Sequence, residues 1–311
     1  MIRFVTYRLL WVVITVWAVA TLSFFIVRAA PGDPFLNEMR ALAPAVREAK
    51  KREYNLDRPL VTQYRLWLWN IVSKGDFGPS MKYRGKTVRG LIAQSLPVSL
   101  ALGSLAIVLA LVLGLTTGVI AALRQNTVWD YGLMAIAVLG ISLPNFVIAA
   151  LLQILFVFKL ELFPMGGWES LRHVFLPALA LSLPFAARIS RLARVGMLEV
   201  LGEDFIRTAH AKGLRERHVV IKHALKGAIL PVMSFIGPAF ALILTGSLVI
   251  ERVFSIAGLG KIFIQAAINR DYYVVLGTVV VFSALVCVFN FLVDISYAFL
   301  DPRVKLEGDK A

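Results

Sequence analysis

Four histidines, at positions 173, 210, 218 and 223, and one cysteine, Cys287, are the side chains here best suited to hold a transition metal. None stands at the spacing that a metal site of the zinc type requires. Asp76-Phe77-Gly78 spells the magnesium-binding tripeptide of protein kinases, but no kinase context surrounds it, and it reads as a turn. Gly258-Leu259-Gly260-Lys261 ends like a phosphate-binding loop. That loop needs glycine at position 255, which is Ser255 here. No catalytic, cofactor-binding or metal-binding residue is therefore assigned, and any energy source belongs on another chain. Cys287 can form no internal disulfide and reads as a small core residue.

The segment that carries information is Gly202 to Gly213, GEDFIRTAHAKG. Glu203 and Asp204 fall in the first turn of a short helix, where negative charge complements the helix dipole. His210 and Lys212 fall in the last turn, where positive charge does so. Gly213 is placed to close the helix in the left-handed conformation. A helix of two to three turns is marginal in water and needs packing. Phe205, Ile206 and Ala209 form its apolar stripe. Two uses of that stripe are open: packing on the chain's own helix ends, or docking in a groove on a partner subunit.

The rest of the chain must position this helix. Of 311 residues, 59% are apolar and 17% are charged, against about 45–50% and about 25% in soluble domains. Mean hydropathy is +0.76. This composition excludes a disordered chain and points to a membrane protein. Charge-free runs cover Leu9–Val27, Gly90–Leu123, Tyr131–Phe158, Val174–Ala187, Gly227–Ile250 and Tyr272–Val293. A spanning helix needs about 20 residues. Five runs suffice. The fourth has 14 residues but continues into Arg188, Arg191 and Arg194, whose side chains could snorkel to the interface. The expectation is an all-α membrane protein with six transmembrane helices. The first run exceeds the core of a signal peptide and reads as an uncleaved anchor.

Both termini then share one side. Placing them inside puts 15 basic residues there, against 5 in the short outer loops and 13 in the long first loop. The orientation rule counts short loops, so both termini are expected in the cytoplasm. The net charge of +14 fits basic cytoplasmic loops and anionic lipid rather than nucleic acid. The domains expected are an anchor helix, 1–27; an external loop region, 28–89; a five-helix core, 90–293, containing a cytoplasmic loop at 195–227; and a tail, 294–311. Leu60, Val61, Tyr64, Trp67, Leu68, Ile71 and Val72 follow helical spacing, so the external loop is expected to be folded around an interfacial or packed helix.

No run contains Asp, Glu, Lys, Arg or His, and Gln153 and Asn290 are among their few large polar residues. Ion-coupled transporters and membrane enzymes use such groups at membrane depth, so both readings are weakened. Pro97, Pro144, Pro177, Pro184, Pro231 and Pro238 lie near or within spans, where they suit kinks. Gly258 and Gly260 suggest that the Glu251–Asp271 loop turns sharply.

Arg207-Thr208-Ala209-His210-Ala211-Lys212-Gly213 resembles the coupling motif of binding-protein-dependent ABC importer permeases, in the form found in peptide importers. Arg207 and Thr208 replace the Glu and first Ala of the general motif. In its later Ile-x-Leu-Pro portion only Leu225 matches. The resemblance extends to Ala30-Pro31-Gly32-Asp33-Pro34, Gly75-Asp76-Phe77-Gly78-Pro79-Ser80, Phe175 to Gly213, Glu251 to Tyr273, and Leu300-Asp301-Pro302-Arg303. Phe77 to Tyr83 and Ala121 to Tyr131 look most like the oligopeptide branch; dipeptide and nickel importers share the architecture.

The resemblance implies the type I ABC importer permease fold in the bacterial inner membrane. It implies a second, homologous permease subunit, two ATPase subunits that bind ATP and magnesium, and an extracytoplasmic peptide-binding protein. This chain would hold no cofactor and catalyse nothing. It would form half of a peptide pathway and dock an ATPase through Glu203, Asp204, Phe205, Arg207, Thr208, Ala209, Ala211 and Gly213. The first loop and the Glu251–Asp271 loop would meet the binding protein. An ion-coupled secondary transporter is the rival class.

Overall fold

In a computed structural model, residues 2–29, 44–83 and 85–300 are described. The Ala30–Pro34 segment, Asp301-Pro302-Arg303 and the rest of the tail lie outside them. The chain runs through α1 (Ile2–Ala29), α2 (Pro44–Glu53), α3 (Leu60–Lys74), α4 (Val88–Leu123), α5 (Val128–Ser142), α6 (Asn145–Lys159), α7 (Leu171–Leu201), α8 (Asp204–Ala211), α9 (Glu216–Ala228), α10 (Leu230–Val253), α11 (Leu259–Asn269) and α12 (Tyr272–Leu300). Among the described residues, β pairing is confined to one bridge between Pro79 and Thr87. Helices α1, α4, α7 and α12 are long and apolar enough to cross a membrane. The bent pairs α5–α6 and α9–α10 bring the candidates to six.

Two compact units share the chain: residues 1–99 with 257–291, and residues 100–256 with 292–311. In the first, α3 packs on α1. Tyr64 and Thr21 share a 2.7 Å hydrogen bond, and Phe24 meets the rings of Tyr64 and Trp67. Helix α3 ends at Gly75, in the left-handed conformation. Asp76 then accepts the Gly78 N–H at 2.9 Å, which makes the 76–78 tripeptide the turn its composition suggested. The inward face of α3 carries buried Gln63 and Trp67, whereas Val61 and Val72, counted in its apolar stripe, point outward.

Asp271 organises the rest of this unit. Its buried carboxylate accepts from the Ser80 hydroxyl and from the backbone N–H groups of Met81 and Lys82, at 3.1 and 3.2 Å. It also stands just before α12 and reaches the Val274 N–H at 3.4 Å, as a capping residue does. One carboxylate thus ties the 80–82 turn to the start of a spanning helix. The turns of the Glu251–Asp271 loop are not made by Gly258 and Gly260. Gly258 is extended and precedes α11, and Gly260 is buried inside that helix. The left-handed positions are Ser255 and Arg270, and the Ser99 hydroxyl accepts the first N–H of α11 at 2.8 Å.

In the second unit, α7 is the hub. The 14-residue run expands into a continuous 31-residue helix through Pro177 and Pro184. Helix α4 approaches it so closely that a Cβ on Gly118 would stand 2.4 Å from the Ser190 carbonyl oxygen. The neighbouring Thr117 and Ser190 hydroxyls are 2.9 Å apart.

The run Tyr131–Phe158, read as one span, is two helices bent by 111°. Leu143 is extended, as a residue before proline tends to be, and Pro144 opens α6. Pro231 stands in the first turn of α10, beside the other bend, while Pro97 and Pro238 lie inside continuing helices. The start of α5 lies beside Arg194 near the end of α7. The chain beyond α6 lies at the other end, where Gly167 N–H meets the Phe254 carbonyl at 3.1 Å. Both halves of the bent pair pack along α7. An apolar groove of about 400 Å³, lined by Ile136, Gly140, Leu143, Ile148 and Ala187 among others, opens at the break. Gln153 is accounted for by structure, since its amide donates to the carbonyls of Met165 and Val253 at 3.2 and 3.4 Å.

Candidate functional site: the short helix between α7 and α9

Helix α8 forms where the charge pattern placed it. Glu203 is extended and acts as N-cap residue, its carbonyl accepting the Ile206 N–H at 3.1 Å. Asp204 opens the helix and meets Arg207 at 3.3 Å, while the Thr208 hydroxyl donates to the Asp204 carbonyl at 3.0 Å. At the far end Gly213 has φ +75°. The Gly213 N–H donates to the His210 carbonyl at 2.9 Å, and the Leu214 N–H to the Ala209 carbonyl at 3.4 Å. These paired bonds are a Schellman closure, which a left-handed glycine makes accessible.

Packing divides the apolar stripe between the two uses left open. Ile206 and Ala209 are buried in a cluster with Ala122 of α4, Met197 of α7, and Val219, Val220, Ala224 and Ala228 of α9. Phe205 remains 51% exposed. Glu203, Asp204, Arg207, Thr208, Ala211 and Gly213 are exposed as well. Ala209, grouped with them from the sequence, lies on the opposite side, 6% exposed within its own chain. Its smallness serves the close seating of α8 on α4, α7 and α9. The anchor residue absent from the sequence-based set is Ile206; its i, i+3 relation to Ala209 was the available signal.

Near this segment stands a pair that the sequence did not single out. Arg194 of α7 donates to Asp130 of α5 from Nε at 2.6 Å and from Nη2 at 2.7 Å. The Asn126 N–H adds a third bond to the same carboxylate at 3.1 Å. Arg194 is therefore held in an ion pair within its own chain. Arg188, on the same helix, lies over the ring of Phe235 at 5.4 Å. Such cation–aromatic contacts hold a guanidinium against an apolar surface. Among the described residues, no group of three or more His, Cys, Asp and Glu could hold a metal ion.

The model of the binding-protein-dependent transport system inner membrane component matches residues 114–306. The amino-terminal model of such membrane components matches residues 1–103. The chain belongs to this permease family.

Among the relatives of this permease, the Oligopeptide transport system permease protein OppB of Salmonella typhimurium is 46% identical over 98% of the chain and all of its own length. The Dipeptide transport system permease protein DppB of Bacillus subtilis is 45% identical over 98% of the chain and 99% of its own. A structure of the MetNI methionine ABC transporter in inward-facing conformations covers 68% of the permease and 96% of that chain, with TM-score 0.58 and 19% identity. An amino acid ABC transporter structure covers 68% and 95%, with TM-score 0.53 and 15% identity. These structures establish the type I importer permease fold. The permease is a multi-pass inner-membrane protein and a transport subunit, not an enzyme.

Proposed function

We propose that this permease is a membrane subunit of an ATP-driven, binding-protein-dependent importer of oligopeptides, and that α8 docks an ATPase subunit. The observation that carries the reading is the division of α8. Ile206 and Ala209 fix one side to three other helices, while Phe205, Arg207, Thr208 and Ala211 leave the other side open. A helix seated this way transmits a push into α4, α7 and α9 instead of bending away from it. Glu203, Asp204 and Gly213 set its two ends.

The complete assembly has a second homologous permease, two ATPase subunits that bind ATP and magnesium, and an extracytoplasmic peptide-binding protein. Both termini and α8 lie on the cytoplasmic side. The first loop and the chain before α12 face the binding protein. ATP binding moves the coupling helices, and the spans turn the pathway. Each ligand shifts that equilibrium only by its differential contact with the two states.

The test is purification from native membranes, followed by reconstitution in vesicles with the proteins that accompany the chain. Two ATPase chains, a second permease and ATP-dependent uptake of peptides supplied with the binding protein support the reading. A chain that purifies alone and transports on an ion gradient overturns it. The dipeptide relative is nearly as similar as the oligopeptide one, so a series of peptides from two residues upward decides the cargo.

A further inference from the structure

Helix α3 is held at a definite level along α1. The charge-free run Leu9–Val27 is about 28 Å long at 1.5 Å per residue, close to the ~30 Å hydrocarbon thickness of a bilayer. The residues of α1 that meet α3 are Thr21, Phe24 and Phe25. They lie in the last third of that run, with Thr21 about 9 Å from Val27 by the same rise. At this level α1 itself presents Leu22 and Ile26 outward, exposed as lipid-facing side chains are. Helix α3 is therefore beside the bilayer and not above it.

Its free face has the matching composition. Opposite Gln63 and Trp67, α3 exposes Val61, Trp69 and Val72, with Trp69 67% and Val72 75% exposed. Arg65, Thr62 and Ser73 stand among them. That face is too polar for the acyl region and carries too much exposed tryptophan and valine for water. Tryptophan is enriched where acyl chains meet headgroups, and an arginine there lays its stem on the apolar surface while its charge reaches the headgroups.

We propose that α3 is an interfacial helix whose Val61, Trp69 and Val72 enter the leaflet at the carboxy-terminal end of α1, with Arg65 at the phosphates. The occupant of this face is phospholipid, because the face continues the lipid-facing surface of α1 at the same depth. It anchors the segment between the first two spanning helices to the membrane, independently of any peptide or ATPase contact.

The experiment places a spin label at position 61, 69 or 72, one at a time. The background is Cys287→Ala in the full transporter, reconstituted in phosphatidylethanolamine–phosphatidylglycerol vesicles without other reactive cysteines. Collision with oxygen and with a water-soluble nickel chelate is then measured. The proposal expects oxygen to dominate at all three positions, as at a label on Ile26, and the chelate to dominate at a label on Glu53. Chelate dominance at 61, 69 and 72 overturns it. So does protection from both reagents, or protection that appears only when binding protein is added, since each means that protein covers the face. Peptide uptake by the labelled transporter verifies its fold.

Discussion

The Arg194 guanidinium forks onto the Asp130 carboxylate through two bonds, of 2.6 and 2.7 Å, joining the last third of α7 to the first turn of α5. Asp130 is almost wholly buried, and its side chain also fixes the Asn126 N–H at the turn between α4 and α5. One carboxylate thus gathers three helices at the end of the unit from which α8 projects. Removing one member of a buried pair leaves the other charge uncompensated, at a cost of about 3–5 kcal/mol. Asp130→Ala should destabilise the permease by at least about 2 kcal/mol, since Arg194 is partly exposed. Asp130→Ala with Arg194→Ala should lose less than the sum of the single changes. Thermal unfolding in detergent, run as a double-mutant cycle, measures the difference.

Phe205 and Ile206 are neighbours with opposite duties. Phe205→Asp alters an exposed position, so stability should stay within about 0.5 kcal/mol while ATPase subunits are lost from the purified assembly. Ile206→Ala removes buried volume and should cost about 2–4 kcal/mol. Parallel measurements of ATPase retention and thermal stability separate the two. If Phe205→Asp retained its ATPases and uptake, α8 would not be the docking element.

Gly213 closes α8 with a positive φ, which an L side chain adopts at a cost of about 1–2 kcal/mol. Gly213→Ala should fray the last turn. Gly213→Pro, which also removes the N–H given to the His210 carbonyl, should do so more severely. Faster amide exchange over residues 209–214, with normal membrane insertion, is the expected readout, together with reduced ATP-driven uptake. Ala209→Trp gives no clean report on docking, because its new ring must enter the chain's own core.

At Gly118 the first added carbon meets backbone, not a movable side chain. Gly118→Ala should separate α4 from α7 and destabilise by about 1–3 kcal/mol, whereas Gly132→Ala, with no atom near its added Cβ, should be tolerated. Unfolding temperatures of the two variants provide the comparison.

The sequence made these elements legible to different degrees, for physical reasons. Charge-free runs mark helices that cross a membrane because every charge there is costly. The capped ends of α8 were readable because dipole and left-handed closure act within a few residues. What faced inward was not: Ala209 and Phe205 belong to one stripe, and only the tertiary position of α4 and α9 divides them. Asp130 lies one residue outside an apolar run and 64 positions from Arg194, so no local pattern connects them. The break at Pro144 looked like one kink among several, because Pro177 and Pro184 occur in similar apolar surroundings and leave α7 continuous. Gly258 and Gly260 misled in the other direction. Glycine signals freedom to turn, but Gly260 is buried within α11.

The fracture between α5 and α6 bears on how the protein is made. Each half has 15 residues and extends about 22 Å, less than the hydrocarbon thickness of about 30 Å. Neither half can cross alone as it emerges from the ribosome. The first is therefore expected to reach its final place only with the second, since both pack on α7. A chain halted just after Ser142 is therefore expected to leave its newest segment accessible from water, and one extended through α7 is expected to have both halves packed in place.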